Sequence, residues 1–140
     1  LSLYPTDPWL AAKVDELMDA AEDIGTKTFQ AGQGLEQAAK EAARKEAVSE
    51  GGKSYALLEK VDAFIAENGS GGHAVGDSTT VADLFLFAQC NGLVSGLYDG
   101  IPSNTLDGFS NIMALRKCVR ELPPVTAWYE GKDYPGYGPF

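Results

Sequence analysis

The chain has 140 residues, 44% hydrophobic and 22% charged, the size and composition of one soluble globular domain with its own core. A net charge of −9 argues against nucleic acid or an anionic membrane as partner. No apolar run approaches the ~18 residues of a membrane span. Two widely separated cysteines, Cys90 and Cys118, without C-x-x-C spacing, argue against zinc, a redox dithiol or a disulfide scaffold and for reduced thiols in the cytoplasm.

The opening LSLYPTDPWL lacks the charged and apolar regions of a signal peptide and begins as though in mid-chain. Pro8 suits the first turn of a helix, with Thr6 or Asp7 to cap it. Leu10, Val14, Leu17, Met18, Ala21 and Ile24 then fall at helical spacing on one face. Asp15, Asp19 and Asp23 recur every four residues on the other side, with Glu16 and Glu22 beside them. Acids at that spacing repel by a few tenths of a kcal/mol, so they do not serve an isolated helix. They form either a solvated face or the charged rim of a groove or dimer cleft.

Gly32-Gln33-Gly34 marks a loop, too short for a phosphate-binding motif and without a preceding strand. Leu35 to Glu50 is a solvent-facing helix with Glu36/Lys40 and Glu41/Lys45 pairs, broken or bent at Gly51-Gly52. Ser54 to Asn68 is helical, with Leu57, Leu58, Val61, Phe64 and Ile65 on one face, and Asn68-Gly69 ends it. Ser70 to Ser78 is a Gly-rich loop. Its single histidine, His73, has no metal partner or nucleophile at motif spacing and receives no role.

Thr80 and Asp83 form a T-x-x-D capping box directly before an apolar run. The hydroxyl accepts from the Asp83 backbone N–H while the carboxylate reaches back to the Thr80 N–H, satisfying two of the orphan donors at the helix start. From Val81 to Leu97 the only charge is Asp83, and an apolar-all-round helix is normally buried within a bundle. Asp83 is therefore read as structural. Asn91, Gly92 and Gly96 then loosen the chain before Tyr98-Asp99-Gly100. Ser110 to Glu121 carries a buried stripe of Ile112, Met113, Leu115 and Val119. Pro123-Pro124 ends it, and Pro124 starts a short helix through Trp128. The tail DYPGYGPF has no regular pattern and is expected to pack over the bundle. No segment alternates with a period of two. The expectation is an all-α fold over residues 1–140, a single domain of about five to six helices round a buried central helix, Val81–Val94.

Several of these segments resemble the C-terminal domain of cytosolic glutathione transferases, of sigma-like or pi-like flavour. They are GDSTTVADLFLF at the central helix, AKVDELMDAAEDI at residues 12–24, NIMALRKCVRELPPVTAWY at residues 111–129, and LYPTDP at the start. Together they run in the family's order over almost the whole chain. Two positions depart from the family pattern. Thr79 stands where a large aliphatic is common, which weakens the hydrophobic staple to Leu84. Gly51-Gly52 also interrupts a helix that is usually continuous.

The resemblance implies a homodimeric cytoplasmic transferase that conjugates glutathione to hydrophobic electrophiles. The thioredoxin-like N-terminal domain, which stabilises the glutathione thiolate in the family, is absent from this sequence, so the chain alone is expected to be inactive with no catalytic residue of its own. By the same resemblance, Asp19 or Asp23 reaches the γ-glutamyl amine of glutathione in the neighbouring subunit. Ala21, Phe85 and Gln89 are candidate walls of the electrophile pocket, with the C-terminal tail closing one side. Phe85 has an equally plain reading as core. Asp15 and Asp19 match part of an interfacial metal cluster found in some relatives, but Met18 replaces its third acid and no metal is expected. The alternative function is a non-catalytic interaction module, as in elongation-factor and tRNA-synthetase assemblies.

Overall fold

The computed structural model describes residues 2–130. They form six helices: α1 (Pro8–Ala31), α2 (Gln37–Ala47), α3 (Lys53–Asn68), α4 (Val81–Val94), α5 (Ser110–Arg120) and α6 (Pro123–Tyr129). The fold is all-α. The one extended pairing among the described residues is an isolated bridge between Gly69 and Gly76. No helix among them is long and apolar enough to cross a membrane. The tail DYPGYGPF lies outside the described residues.

Asp7 starts α1 by accepting the Leu10 N–H at 2.9 Å, and Pro8, lacking an N–H, occupies the first helical position. Val14, Leu17, Ala21, Ile24 and Thr28 fall on the buried face. The Thr28 hydroxyl donates to the Ile24 carbonyl at 2.8 Å and stands 2.9 Å from the buried Ser54 hydroxyl, so α1 and α3 meet through a satisfied polar pair. α1 packs against α2, α3 and α4.

The helix expected over Leu35 to Glu50 is shorter at both ends. α2 stops at Ala47, and the chain turns through Gly51 (φ +83°) before α3 begins. Gly52 allows that turn to be tight, since a Cβ there would stand 2.3 Å from the Glu46 carbonyl oxygen. In α3, Leu58, Val61 and Ile65 are buried while Leu57 and Phe64 are half-buried.

The Thr80–Asp83 capping box forms at the start of α4. Asp83 is fully buried, and one carboxylate oxygen takes the Thr80 N–H at 2.7 Å and the Thr80 hydroxyl at 2.8 Å. Its other oxygen takes the Ala74 N–H at 2.7 Å, a donor from the preceding loop. The Val81 N–H donates to the Leu3 carbonyl at 2.8 Å, so the segment before α1 returns to the same helix start.

α4 packs on α1 and α5, burying Ala82, Leu86, Phe87, Cys90, Asn91, Leu93 and Val94. Its remaining face is not buried: Val81, Leu84, Phe85 and Gln89 are half-buried and Ala88 is exposed. An apolar sequence all round carries no information on which side lacks a neighbour. Arg116 on α5 reaches back to α4, donating through Nε and Nη2 to the Asn91 side-chain oxygen at 3.1 and 3.0 Å. Burial pulls the Arg116 pKa down. α6 runs one residue further at each end than its prolines alone implied, and Tyr129 meets Phe87 with ring centres 6.5 Å apart.

Candidate ligand groove beside the first helix

Glu22, Gly25, Thr26, Phe29 and Gln30 recur three or four residues apart and form one stripe along the C-terminal half of α1, which Gln33 extends from the turn beyond it. Gln89 of α4 and Tyr98 of the following turn face that stripe, enclosing a groove of about 450 Å³. The volume suits a small organic ligand. Gly25 opens it: a Cβ there would sit 3.1 Å from Gln89 Oε1 and 3.9 Å from the Tyr98 hydroxyl. Phe29 is 51% exposed at the edge, supplying apolar surface among amide and hydroxyl groups.

The residues singled out from the sequence fall differently about this groove. Gln89 lines it. Phe85 precedes Gln89 by one turn on α4 and packs half-buried against the core. Ala21 precedes Gly25 by one turn on α1, but it is fully buried among core side chains rather than lining the groove. Asp19 and Asp23 are exposed on α1 on either side of Glu22. Asp15 is engaged elsewhere, both carboxylate oxygens receiving the Tyr4 hydroxyl at 2.8 Å, which raises the Tyr4 pKa.

Sequence reasoning passed over Gly25, Thr26, Phe29, Gln30, Gln33 and Tyr98 as groove residues. A signal was present in the glycine inside a helical run, followed one turn later by an aromatic on the polar side. Nothing local marked Tyr98, which reaches α1 only through tertiary packing.

Other clefts lie on the surface of the described residues as well. One of about 200 Å³ between α1 and α3 has Leu17, Ala20, Leu57, Val61 and Phe64 as its apolar lining, with Glu16 and Lys60 also at its walls. A broader one of about 510 Å³, near the α2–α3 turn, includes Lys27, Glu46 and Lys53. Neither is lined by a serine, threonine, cysteine or histidine side chain. The half-buried thiol of Cys118 stands 4.0 Å from both ring nitrogens of His73, a distance that favours neither. Burial, then the charges of Asp83 and Glu121, push its pKa up, the opposite of what thiolate chemistry needs.

Comparison with known families gives a match over residues 22–132 to the family described as "Glutathione S-transferase, C-terminal domain". No curated protein matches the chain.

Proposed function

Because the chain belongs to the glutathione S-transferase C-terminal domain family, we propose that it is the electrophile-binding and dimerisation part of a glutathione transferase. The observation that carries this reading is the groove along α1, with Phe29 and Tyr98 at its walls and exposed carboxylates beside it. An aromatic electrophile gains by burying apolar area against Phe29 and Tyr98. The amides of Gln30, Gln33 and Gln89 offer donors to nitro or carbonyl oxygens on such a molecule.

Asp19 and Asp23, exposed and one turn apart on α1, are the acids available to the γ-glutamyl ammonium of glutathione held by a neighbouring subunit. A carboxylate–ammonium contact is charge-assisted, and shielding in a dimer cleft strengthens it. The thiolate-stabilising group would come from a thioredoxin-like N-terminal domain. The open apolar face of α4, with Val81, Leu84, Phe85 and Ala88, supports docking of that domain, since an uncovered face of this kind lowers its free energy when another surface buries it. The α1–α3 cleft, lined mainly by apolar side chains, supports a homodimer by offering a receptacle for an apolar side chain of a second copy.

The test is Asp23→Ala in a complete transferase carrying this domain. The KM for glutathione should rise roughly ten- to hundredfold, the range for losing a charge-assisted bond, with the dimer intact. Unchanged glutathione affinity, together with loss of a protein partner, would overturn the enzyme reading in favour of an interaction module.

A further inference from the structure

Arg44 departs from the pattern of its helix. α2 is largely exposed, yet Arg44 is only 7% exposed. Withdrawing a guanidinium from water is costly unless its charge and donors find partners. The interactions of the guanidinium are weak but converge on one place. Nη1 lies 3.9 Å from the Asp99 carboxylate, and the guanidinium carbon lies 5.5 Å from the centre of the Tyr98 ring. Nε has no hydrogen-bond partner among the described residues.

The same turn is tied to α2 a second time. Gly100 (φ +85°) approaches so closely that a Cβ there would stand 2.5 Å from the Glu41 carbonyl oxygen. Tyr98 therefore has two neighbours of different kinds. Arg44 on α2 lies over its ring, and its hydroxyl points to the open space at Gly25 on α1. Arg44 itself does not line the groove.

We propose that Arg44 is a positioning residue for the groove: from α2 it holds the Tyr98 ring and so sets the opening between Tyr98, Gly25 and Gln89. The flat guanidinium suits this role because it lies over an aromatic face while keeping its charge towards Asp99, a combination lysine does not reproduce. Its relevance to catalysis rests on the reading of the groove as the electrophile site.

The experiment compares isotope-labelled chains by NMR: wild type, Arg44→Gln, Arg44→Lys and Asp99→Asn. Arg44→Gln should shift the Tyr98 ring signals and, with them, the Gly25 backbone amide and the Gln89 side-chain amide. Exchange protection at Leu58 and Leu86 should stay as in wild type. Arg44→Lys should shift the same signals less. If Gly25 and Gln89 do not move while α2 signals do, the proposal is overturned. Should Arg44→Gln fail to fold, Asp99→Asn, at an exposed position, must produce the same displacement in smaller measure, and none would overturn it.

Kinetics of a complete transferase separate the two ideas. Arg44→Gln should raise KM for the hydrophobic electrophile roughly tenfold, with KM for glutathione and kcat unchanged. If the NMR shifts appear and this KM stays put, positioning by Arg44 stands and the assignment of the groove to the electrophile falls.

Discussion

Asp62 on α3 caps α5 from 49 residues away: its Oδ1 accepts the backbone N–H groups of Asn111 and Ile112, each at 2.9 Å. Oδ2 accepts the Asn111 side-chain amide at 2.8 Å. Phe109, at the cap position itself, contributes no side-chain bond. The first N–H groups of a helix need acceptors and favour negative charge, so one carboxylate both starts α5 and fastens it to α3. Asp62→Ala should lower the unfolding free energy by roughly 1–3 kcal/mol, with Asp62→Asn losing less. Urea denaturation would measure it, and a loss within about 0.5 kcal/mol, as for an ordinary surface substitution, would refute the cap.

Asp83 carries a heavier structural load. Replacing it with alanine strands the Thr80 N–H, the Thr80 hydroxyl and the Ala74 N–H in a place water does not reach. Asp83→Ala should cost about 2–4 kcal/mol, more than Asp62→Ala, because every stranded donor is buried. Amide exchange should quicken at Ala74 and Val81 first. Equal costs for the two variants would contradict the burial argument.

Cys90 gives a prediction about alkaline pH. Burial pushes its thiol up to about 12 against an ordinary 9.0, with Arg116 pulling weakly the other way. The folded state therefore holds this proton more tightly than the unfolded chain. That contribution is complete below the unfolded value and is lost as pH rises from about 9 towards about 12, at up to about 1.4 kcal/mol per pH unit. Cys90→Ala should flatten the decline in unfolding free energy over that window relative to wild type. Parallel curves would show the thiol does not titrate as buried. A thiol reagent offers a second check: Cys118, half-buried, should react slowly in the native protein, while Cys90 should wait for unfolding.

Gly25 separates stability from groove shape. Alanine suits a helix interior better than glycine by roughly 0.5–1 kcal/mol. The added Cβ would stand 3.1 Å from Gln89 Oε1, the far end of a flexible side chain, and at an ordinary contact distance of 3.9 Å from the Tyr98 hydroxyl. Gly25→Ala should therefore raise the melting temperature slightly while displacing the Gln89 amide and narrowing the groove. A lower melting temperature would mean that Gln89 and Tyr98 cannot yield.

Much of the fold was legible because its signals are short in range. Asp7 to Leu10 and Thr80 to Asp83 are each three residues apart, and such caps act within one turn of helix. The α1 stripe of Val14, Leu17, Ala21 and Ile24 follows from helical periodicity alone. The candidate site was less legible. Gln89, named from the sequence, lines the groove, but Asp19 and Asp23 are exposed without lining it, Ala21 lies under the surface that Gly25 opens, and Arg44 was counted with a solvent-facing helix. Periodicity tells which face of a helix is apolar, but not which neighbour comes to cover it.

The sequence by itself determined the order of the helices, the starts of α1 and α4, the box that opens α4 and the family resemblance, because each is written in residues a few positions apart. Tertiary structure alone decided that Asp62 would cap a distant helix, that Ala74 would supply a third donor to Asp83, and that Arg44 would lie over Tyr98. It also decided that one face of α4 stays open and that Gly25, Gln89 and Tyr98 share a groove. Those relations depend on how whole helices pack, and packing is set by the combined shape of many side chains rather than by any local spacing.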